Sequence, residues 1–110
     1  MAIPQSDLDR IQLWARERIP EEQWDELRVE ADVSQRHVDI VEVGPPWDGI
    51  GEEDRTPIAR LRYTAKTGLW SIYWCDRNMR FHAYKDFEPT PEVQEQLDWL
   101  IDSGDPIFWG

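Results

Sequence analysis

Apolar residues recur at two different periods along the chain, and the change of period divides it into elements. Near the N-terminus, Leu8, Ile11, Ala15 and Ile19 follow one another at helical spacing. Ser6 precedes them as a residue type that caps helices. We therefore expect an amphipathic N-terminal helix, followed by a second short helix over residues 21–27.

The middle of the chain alternates with a period of two, which is typical of half-buried β-strands. Five such runs cover residues 27–33, 37–43, 59–65, 69–75 and 79–84. Short turn sequences join them, except that residues 44–57 hold three Pro, three Gly and four acidic residues. We expect that long segment to be a loop without regular structure.

A last helical pattern follows Thr90, which is expected to cap a helix with Pro91 in its first turn and Gly104 just past its end. Its predicted buried stripe is Val93, Leu97, Leu100 and Ile101. Strands joined by short turns pair antiparallel. The chain thus predicts an α+β fold: a five-stranded antiparallel meander sheet with an N-terminal and a C-terminal helix packed on one face, the face of Trp70, Ile72 and Trp74.

Length and composition limit the class of protein. With 110 residues, we expect a single domain spanning residues 1–110. The lone Cys75 excludes a disulfide framework, and no apolar run approaches the ~18 residues of a membrane span. We expect a cytoplasmic protein that does not bind membranes. Its net charge of −11 argues against general nucleic-acid binding, because phosphates repel an acidic surface.

The charge is unevenly distributed. Residues 60–84 contain five basic residues and one acid, a charge of +4, which leaves −15 for the rest of the chain. This window also holds all three Tyr and two of the seven Trp. It is therefore the first place to look for a ligand site.

A strand register that sets Trp74 opposite Phe81, and Leu61 opposite Trp74, predicts which side chains share a face. Trp74 and Phe81 become buried neighbours under the helices. The opposite face gathers the candidate ligand-binding residues Arg60, Arg62, Tyr73, Arg80, His82 and Tyr84. Guanidinium groups beside a phenol and an imidazole suit a carboxylate or a phosphate. An ordinary solvated sheet face is the alternative.

Two Trp residues are candidate interface anchors, since Trp is enriched at binding hot spots. Trp47 lies in the long loop, and Trp99 falls off the apolar stripe of the last helix. Cys75 and His82 would lie diagonally on the sheet, without a third group to orient them. His37 and His82 are the only histidines, so we assign no catalytic residue, no metal ligand and no cofactor.

Three motifs resemble one protein family. They are the strand Trp70-Ser71-Ile72-Tyr73-Trp74, the strand Arg80-Phe81-His82-Ala83-Tyr84 and the tail Phe108-Trp109-Gly110, with Val41-Glu42-Val43 and Pro46-Trp47 upstream. In order and spacing they resemble a family of small bacterial proteins known as domain of unknown function 3024. The resemblance implies a shared fold and the importance of these motifs, and it implies no particular reaction.

Three classes of function fit these features. The leading hypothesis is a non-enzymatic binding module, which meets a protein partner or a small anionic ligand through the basic-aromatic sheet face or the Trp47 loop. The second is an acidic inhibitor or immunity-type protein that neutralises a basic toxin or nuclease. The third is a small enzyme that acts on an anionic substrate through His82, Tyr73 and the arginines.

Overall fold

The computed structural model describes residues 3–46 and 48–109, which fold into helices packed on an antiparallel sheet. In chain order the elements are α1 (Gln5–Arg16), β1 (Arg28–Val33), β2 (His37–Gly44), β3 (Asp54–Thr64), β4 (Leu69–Cys75), β5 (Phe81–Ala83), α2 (Val93–Asp102) and α3 (Pro106–Trp109), with a 3₁₀ helix at Glu21–Gln23. The five strands lie in the order β1-β2-β3-β4-β5. The predicted α+β meander with an N-terminal and a C-terminal helix is confirmed.

The core lies between the helices and one face of the sheet. The sheet contributes Val38, Ile40, Leu61, Trp70 and Ile72, and the helices contribute Ile11, Trp14, Leu97, Leu100 and Phe108. Alternation along each strand sends every second side chain into this layer, so the other face of the sheet is left without a helix over it. None of the helices in residues 3–46 and 48–109 is both long and apolar enough to cross a membrane.

Trp70 connects the sheet to both long helices. Its side chain is fully buried, and its indole Nε1–H donates to Asp7 Oδ2 of α1 at 3.0 Å. Its backbone carbonyl accepts from Gln96 Nε2 of α2 at 2.7 Å. Its backbone N–H donates to the carbonyl of Thr90, whose own N–H donates back to Trp70. A buried indole needs a partner for its N–H, and here that partner fixes where α1 lies.

The start of β3 was predicted as loop and is strand. The pairs Ile40–Ala59 and Val41–Pro57 leave Ile58 as one extra residue on β3, which makes a β-bulge. Proline is tolerated at a bulge because it cannot donate to the ladder. β4 pairs with β3 only from Ala59 onward, so Pro57 has a strand partner on one side alone. The prediction of loop over residues 44–57 is wrong for its two ends.

The helix ends differ from the prediction in detail. α1 begins at Gln5 after Pro4, and no side chain caps it. The predicted helix over residues 21–27 is only the short 3₁₀ helix. Thr90 precedes α2, and its hydroxyl accepts from the Glu92 N–H at 3.1 Å.

The buried stripe of α2 includes Gln96 in place of Ile101, which is 42% exposed. Positions 93, 96, 97 and 100 form one face of a 3.6-residue helix, and position 101 lies at its edge. The polar Gln96 can be buried there because Trp70 offers it a carbonyl. The prediction that Ile101 belongs to the buried stripe is wrong.

The hydrogen bond between Asp7 and Trp70 should contribute measurably to the free energy of unfolding. We expect Asp7→Ala to lower the free energy of unfolding by about 1–3 kcal/mol, because it leaves a buried indole N–H without an acceptor. Asp7→Asn keeps an acceptor and should cost less. Urea titration followed by Trp fluorescence measures both. Asp9→Ala is the control, since among the described residues the Asp9 side chain bonds only the exposed Gln5. Equal losses for Asp7→Ala and Asp9→Ala would contradict this account.

Candidate functional site

The register between β4 and β5 differs from the prediction by one residue. Trp74 lies opposite His82, and Cys75 lies opposite Phe81. A shift of one residue turns a strand over. His82 therefore shares the face of Trp74, whereas Phe81 lies on the face without helices. Trp74 is only half-buried, so the prediction that Trp74 and Phe81 are buried neighbours is wrong.

The turn between these strands explains the shift. The Asp76 N–H donates to the Arg80 carbonyl, which leaves three residues in the loop, and Met79 adopts the left-handed conformation at φ 65°. Asp76 Oδ1 accepts from the backbone N–H groups of Asn78 and Arg80. This is the three-residue hairpin in which a turn is followed by a left-handed residue. The predicted register assumed two loop residues.

The register between β3 and β4 differs from the prediction by two residues, and so the faces are kept. Arg60 lies opposite Tyr73, and Arg62 lies opposite Ser71. On the other side, His37 of β2 pairs with Arg62. Arg60, Arg62 and Tyr73 are therefore neighbours on the helix-free face, as predicted.

A shallow cavity lies at this place, and we call it the basic depression. It has a volume of about 310 Å³ and is lined by Arg36, His37, Arg60, Arg62, Tyr73 and Phe81. A second cavity of about 240 Å³ adjoins it and is lined by Arg36, Arg62, Tyr63, Thr64, Ala65 and Lys66. Arg36 and Arg62 line both cavities, so they stand at the centre of the basic surface.

The arginines of the basic depression differ in their partners. Arg60 donates to both carboxylate oxygens of Asp39, at 2.7 and 3.0 Å, and its guanidinium lies 4.0 Å from the centre of the Phe81 ring. Those hydrogen bonds raise the pKa of Arg60. Arg36 and Arg62 form no ion pair with an Asp or Glu side chain in the part of the chain that the structure describes. Their guanidinium groups can therefore meet an external anion.

The surroundings of His37 lower its pKa. Burial lowers its pKa first, and the neighbouring charges of Arg60 and Arg62 lower it further, against the opposing effect of Asp39. His37 is half-buried and lies 3.9 Å from Asp39. A lowered pKa keeps this imidazole neutral at neutral pH, so it offers a hydrogen-bonding group and no charge there.

Three of the predicted ligand-binding residues lie elsewhere. Arg80 is in the exposed turn after β4. His82 contacts Asp76 at 2.7 Å and stacks on Trp74 with ring centres 4.7 Å apart. Tyr84 is buried on the helix side, where its hydroxyl donates to Asp105 at 3.0 Å. The prediction that these three share a face with Arg62 and Tyr73 is wrong.

The two predicted interface tryptophans have different outcomes. Trp99 is half-buried, donates its Nε1–H to the Tyr84 oxygen at 3.0 Å and packs against Phe87 at 5.3 Å between ring centres. It is thus engaged within the fold. Trp47 lies outside the described residues, and so does Gly110 of the tail motif.

Three residues of the basic depression were not predicted: Arg36 just before β2, His37 at its start, and Phe81 of β5. The meander order contains a signal for the first two, because β2 must run beside β3 and so bring its first residues to the end of the Arg60–Arg62 row. Phe81 could be placed only with the correct length of the β4–β5 loop.

Cys75 lacks the surroundings of a reactive thiol. Burial raises its pKa, and the carboxylates of Asp76 and Asp39 raise it further, while Arg60 opposes them. His82 lies on the other face of the sheet. Within residues 3–46 and 48–109, no group of three or more His, Cys, Asp or Glu side chains is arranged to hold a metal ion.

The raised pKa of Cys75 leads to a reactivity prediction. We expect iodoacetamide to alkylate Cys75 more slowly in the folded protein than in urea at neutral pH, because the thiolate is the reacting form. Mass spectrometry over a pH series gives both rates. Faster alkylation of the folded protein at neutral pH would contradict the assignment.

Comparison with known proteins gives one match. The family model described as a domain of unknown function, DUF3024, matches residues 2–110. Neither the curated proteins nor the solved structures gave a match. The matched range includes the strand motifs, the hairpin and the tail that suggested this family from sequence. The chain therefore belongs to the DUF3024 family.

Proposed function

We propose that this protein is a non-enzymatic binding module and that its basic depression binds an anionic group, a carboxylate or a phosphate. One observation carries the proposal: Arg36 and Arg62 converge on the same surface without a carboxylate partner in the described residues. They do so in a chain whose net charge is −11. Uncompensated guanidinium groups at a cavity are the arrangement that recognises anions.

The other half of the same face provides the contrast. Arg28 donates to Glu53 through two nitrogens, at 2.7 and 2.8 Å. Arg55 donates to both oxygens of Asp32 and to Glu30. These arginines are paired with carboxylates, as expected for an ordinary solvated sheet face. The basic depression differs, because two of its arginines have no carboxylate partner in the described residues.

The neighbouring side chains fit a bound anion that carries an organic part. Asp39 holds Arg60 over Phe81, so this guanidinium and this ring form one fixed surface. Tyr73 lies beside Arg60 in the next strand. The two arginines would bind the anion, while Phe81 and Tyr73 offer aromatic contact to the group attached to it.

Binding fits this arrangement better than catalysis does. His37 and Ser71 both lie in the row of Arg62, one on each side of it. Neighbouring strands are spaced by about 4.8 Å, which places these residues roughly 10 Å apart. A serine and its general base must approach within hydrogen-bond distance, about 3 Å. The enzyme hypothesis also relied on His82 acting with Tyr73 and the arginines, and His82 lies on the other face of the sheet. It is therefore the weaker hypothesis for this site.

Loss of the two unpaired arginines should remove binding and leave the fold intact. We expect the double variant Arg36→Ala, Arg62→Ala to weaken anion binding by about 1.5–3 kcal/mol per lost contact. Both side chains are exposed, so stability should change by less than about 0.5 kcal/mol. Calorimetric titration with inorganic phosphate, ATP and a hexaglutamate peptide measures the affinities.

The matched control is the double variant Arg77→Ala, Arg80→Ala, which removes the same charge from the exposed β4–β5 turn. It should retain binding. If both double variants lose the same anion affinity, the loss is explained by net charge and not by the basic depression. If no probe binds the wild-type protein differently from the Arg36, Arg62 variant, the basic depression is solvated surface and the proposal fails.

Recognition of a basic protein is the second candidate function. The charge of −15 outside residues 60–84 favours it, since acidic surfaces attract basic partners and accelerate their encounter. An inhibitor of a basic toxin or nuclease would work in this way. This function would use a surface other than the basic depression.

A further inference from the structure

Exposed apolar side chains gather near the C-terminal ends of α1 and α2. Seven large apolar side chains are exposed in the described part of the chain. Four of them, Leu13, Leu27, Ile101 and Trp109, line two neighbouring grooves, and we call these four the Ile101 patch. Scattered apolar residues are normal on a protein surface, but a clustered set marks a contact surface.

The two grooves have Ile101 and Arg18 in common. One has a volume of about 300 Å³ and contains Leu27, Ile101 and Trp109. The other has a volume of about 310 Å³ and holds Leu13 and Ile101. Ile101 is 42% exposed and Leu13 is 55% exposed. Apolar side chains of a partner could enter both grooves on either side of Ile101.

Contacts within the protein fix the side chains beneath and within the Ile101 patch. Trp109 donates its Nε1–H to the Leu100 carbonyl at 2.5 Å, and its ring centre lies 6.5 Å from that of Trp14. Arg18 stacks over Trp14 at 4.8 Å and donates to its carbonyl. A surface fixed before binding loses little entropy when a partner docks.

Four acidic residues line the two grooves. Glu17, Asp98 and Asp102 line one groove, and Glu42 lines the other. Two arginines are also present, and both are engaged within the protein: Arg18 on Trp14, and Arg10 through a hydrogen bond to Gln94 at 3.2 Å. The rim is thus acidic by two charges.

We propose that the Ile101 patch docks an amphipathic, lysine- and arginine-bearing segment of a partner protein. Apolar residues of that segment fill the two grooves, and its cations meet Glu17, Asp98 and Asp102. A second copy of this chain fits poorly, because two acidic rims and two chains of charge −11 repel each other. The inference uses a different surface from the basic depression and does not depend on it.

Two synthetic peptides test the proposal on the full chain. Each has about 14 residues, four helical turns, with Leu at helical spacing and with either Lys or Glu at the other positions. Titration followed by NMR should show the Lys peptide shifting the indole N–H of Trp109 and the amides of Leu13 and Ile101. The Glu peptide should shift none of them at the same concentration.

Variants distinguish binding at the Ile101 patch from non-specific binding to exposed apolar residues. Ile101→Asp should weaken binding of the Lys peptide about tenfold or more, since it places a charge in the centre of the contact. Ile50→Asp is the matched control, because Ile50 is 77% exposed and lies outside both grooves. It should bind as the wild-type protein does. Exchange of Asp98 and Asp102 for Lys should reverse the preference toward the Glu peptide.

Three results would overturn the proposal. They are equal binding of the two peptides, binding that Ile101→Asp leaves unchanged, and no binding of the Lys peptide at all. Sedimentation velocity gives the fourth test: a dimer of the wild-type protein that Ile101→Asp dissociates would assign the patch to a second copy of the chain.

Discussion

The structure depends on how Trp70, a buried tryptophan near the start of β4, satisfies its polar groups. The indole N–H of Trp70 has its acceptor on α1, and the carbonyl of Trp70 takes a donor from α2. Both bonds lie under the helices, away from water. A buried polar group without a partner there destabilises the fold by more than a typical hydrogen bond stabilises it. These two bonds place both long helices on the same side of the sheet. The opposite side is consequently free to carry charged side chains.

The helix-free face of the sheet has two parts, which differ in whether their arginines are paired with carboxylates. Around β1 and the start of β3, Arg28 and Arg55 are held by carboxylates. Around the start of β2 and the end of β3, Arg36 and Arg62 are not, within the described residues. An acidic chain therefore presents one basic surface on its sheet, while its acidic residues frame the Ile101 patch at the helix ends. The two surfaces carry charges of opposite sign.

Much of the fold could be predicted from sequence, because periods of two and 3.6 residues depend only on which side chains avoid water. The meander order followed from short turns. The face of Arg60, Arg62 and Tyr73 was predicted correctly even though the β3–β4 register was two residues off, since an even shift preserves the face. The family was recognised from motifs that contribute to this same sheet and to the tail that packs under it.

The sequence by itself determined the two long helices, the five strands, their order and the faces of β3 and β4. Only the tertiary structure decided the face of β5, the partners of each arginine and the exposure of Ile101. Asp76 closes a three-residue loop by accepting from Asn78 and Arg80, and that one extra loop residue places Phe81 at the basic depression and His82 on the other face of the sheet. The spacing of apolar residues along the sequence depends on local structure, so it predicts helices and strands. Register and charge pairing depend on loop geometry and on residues far apart in the chain, which a pattern does not record.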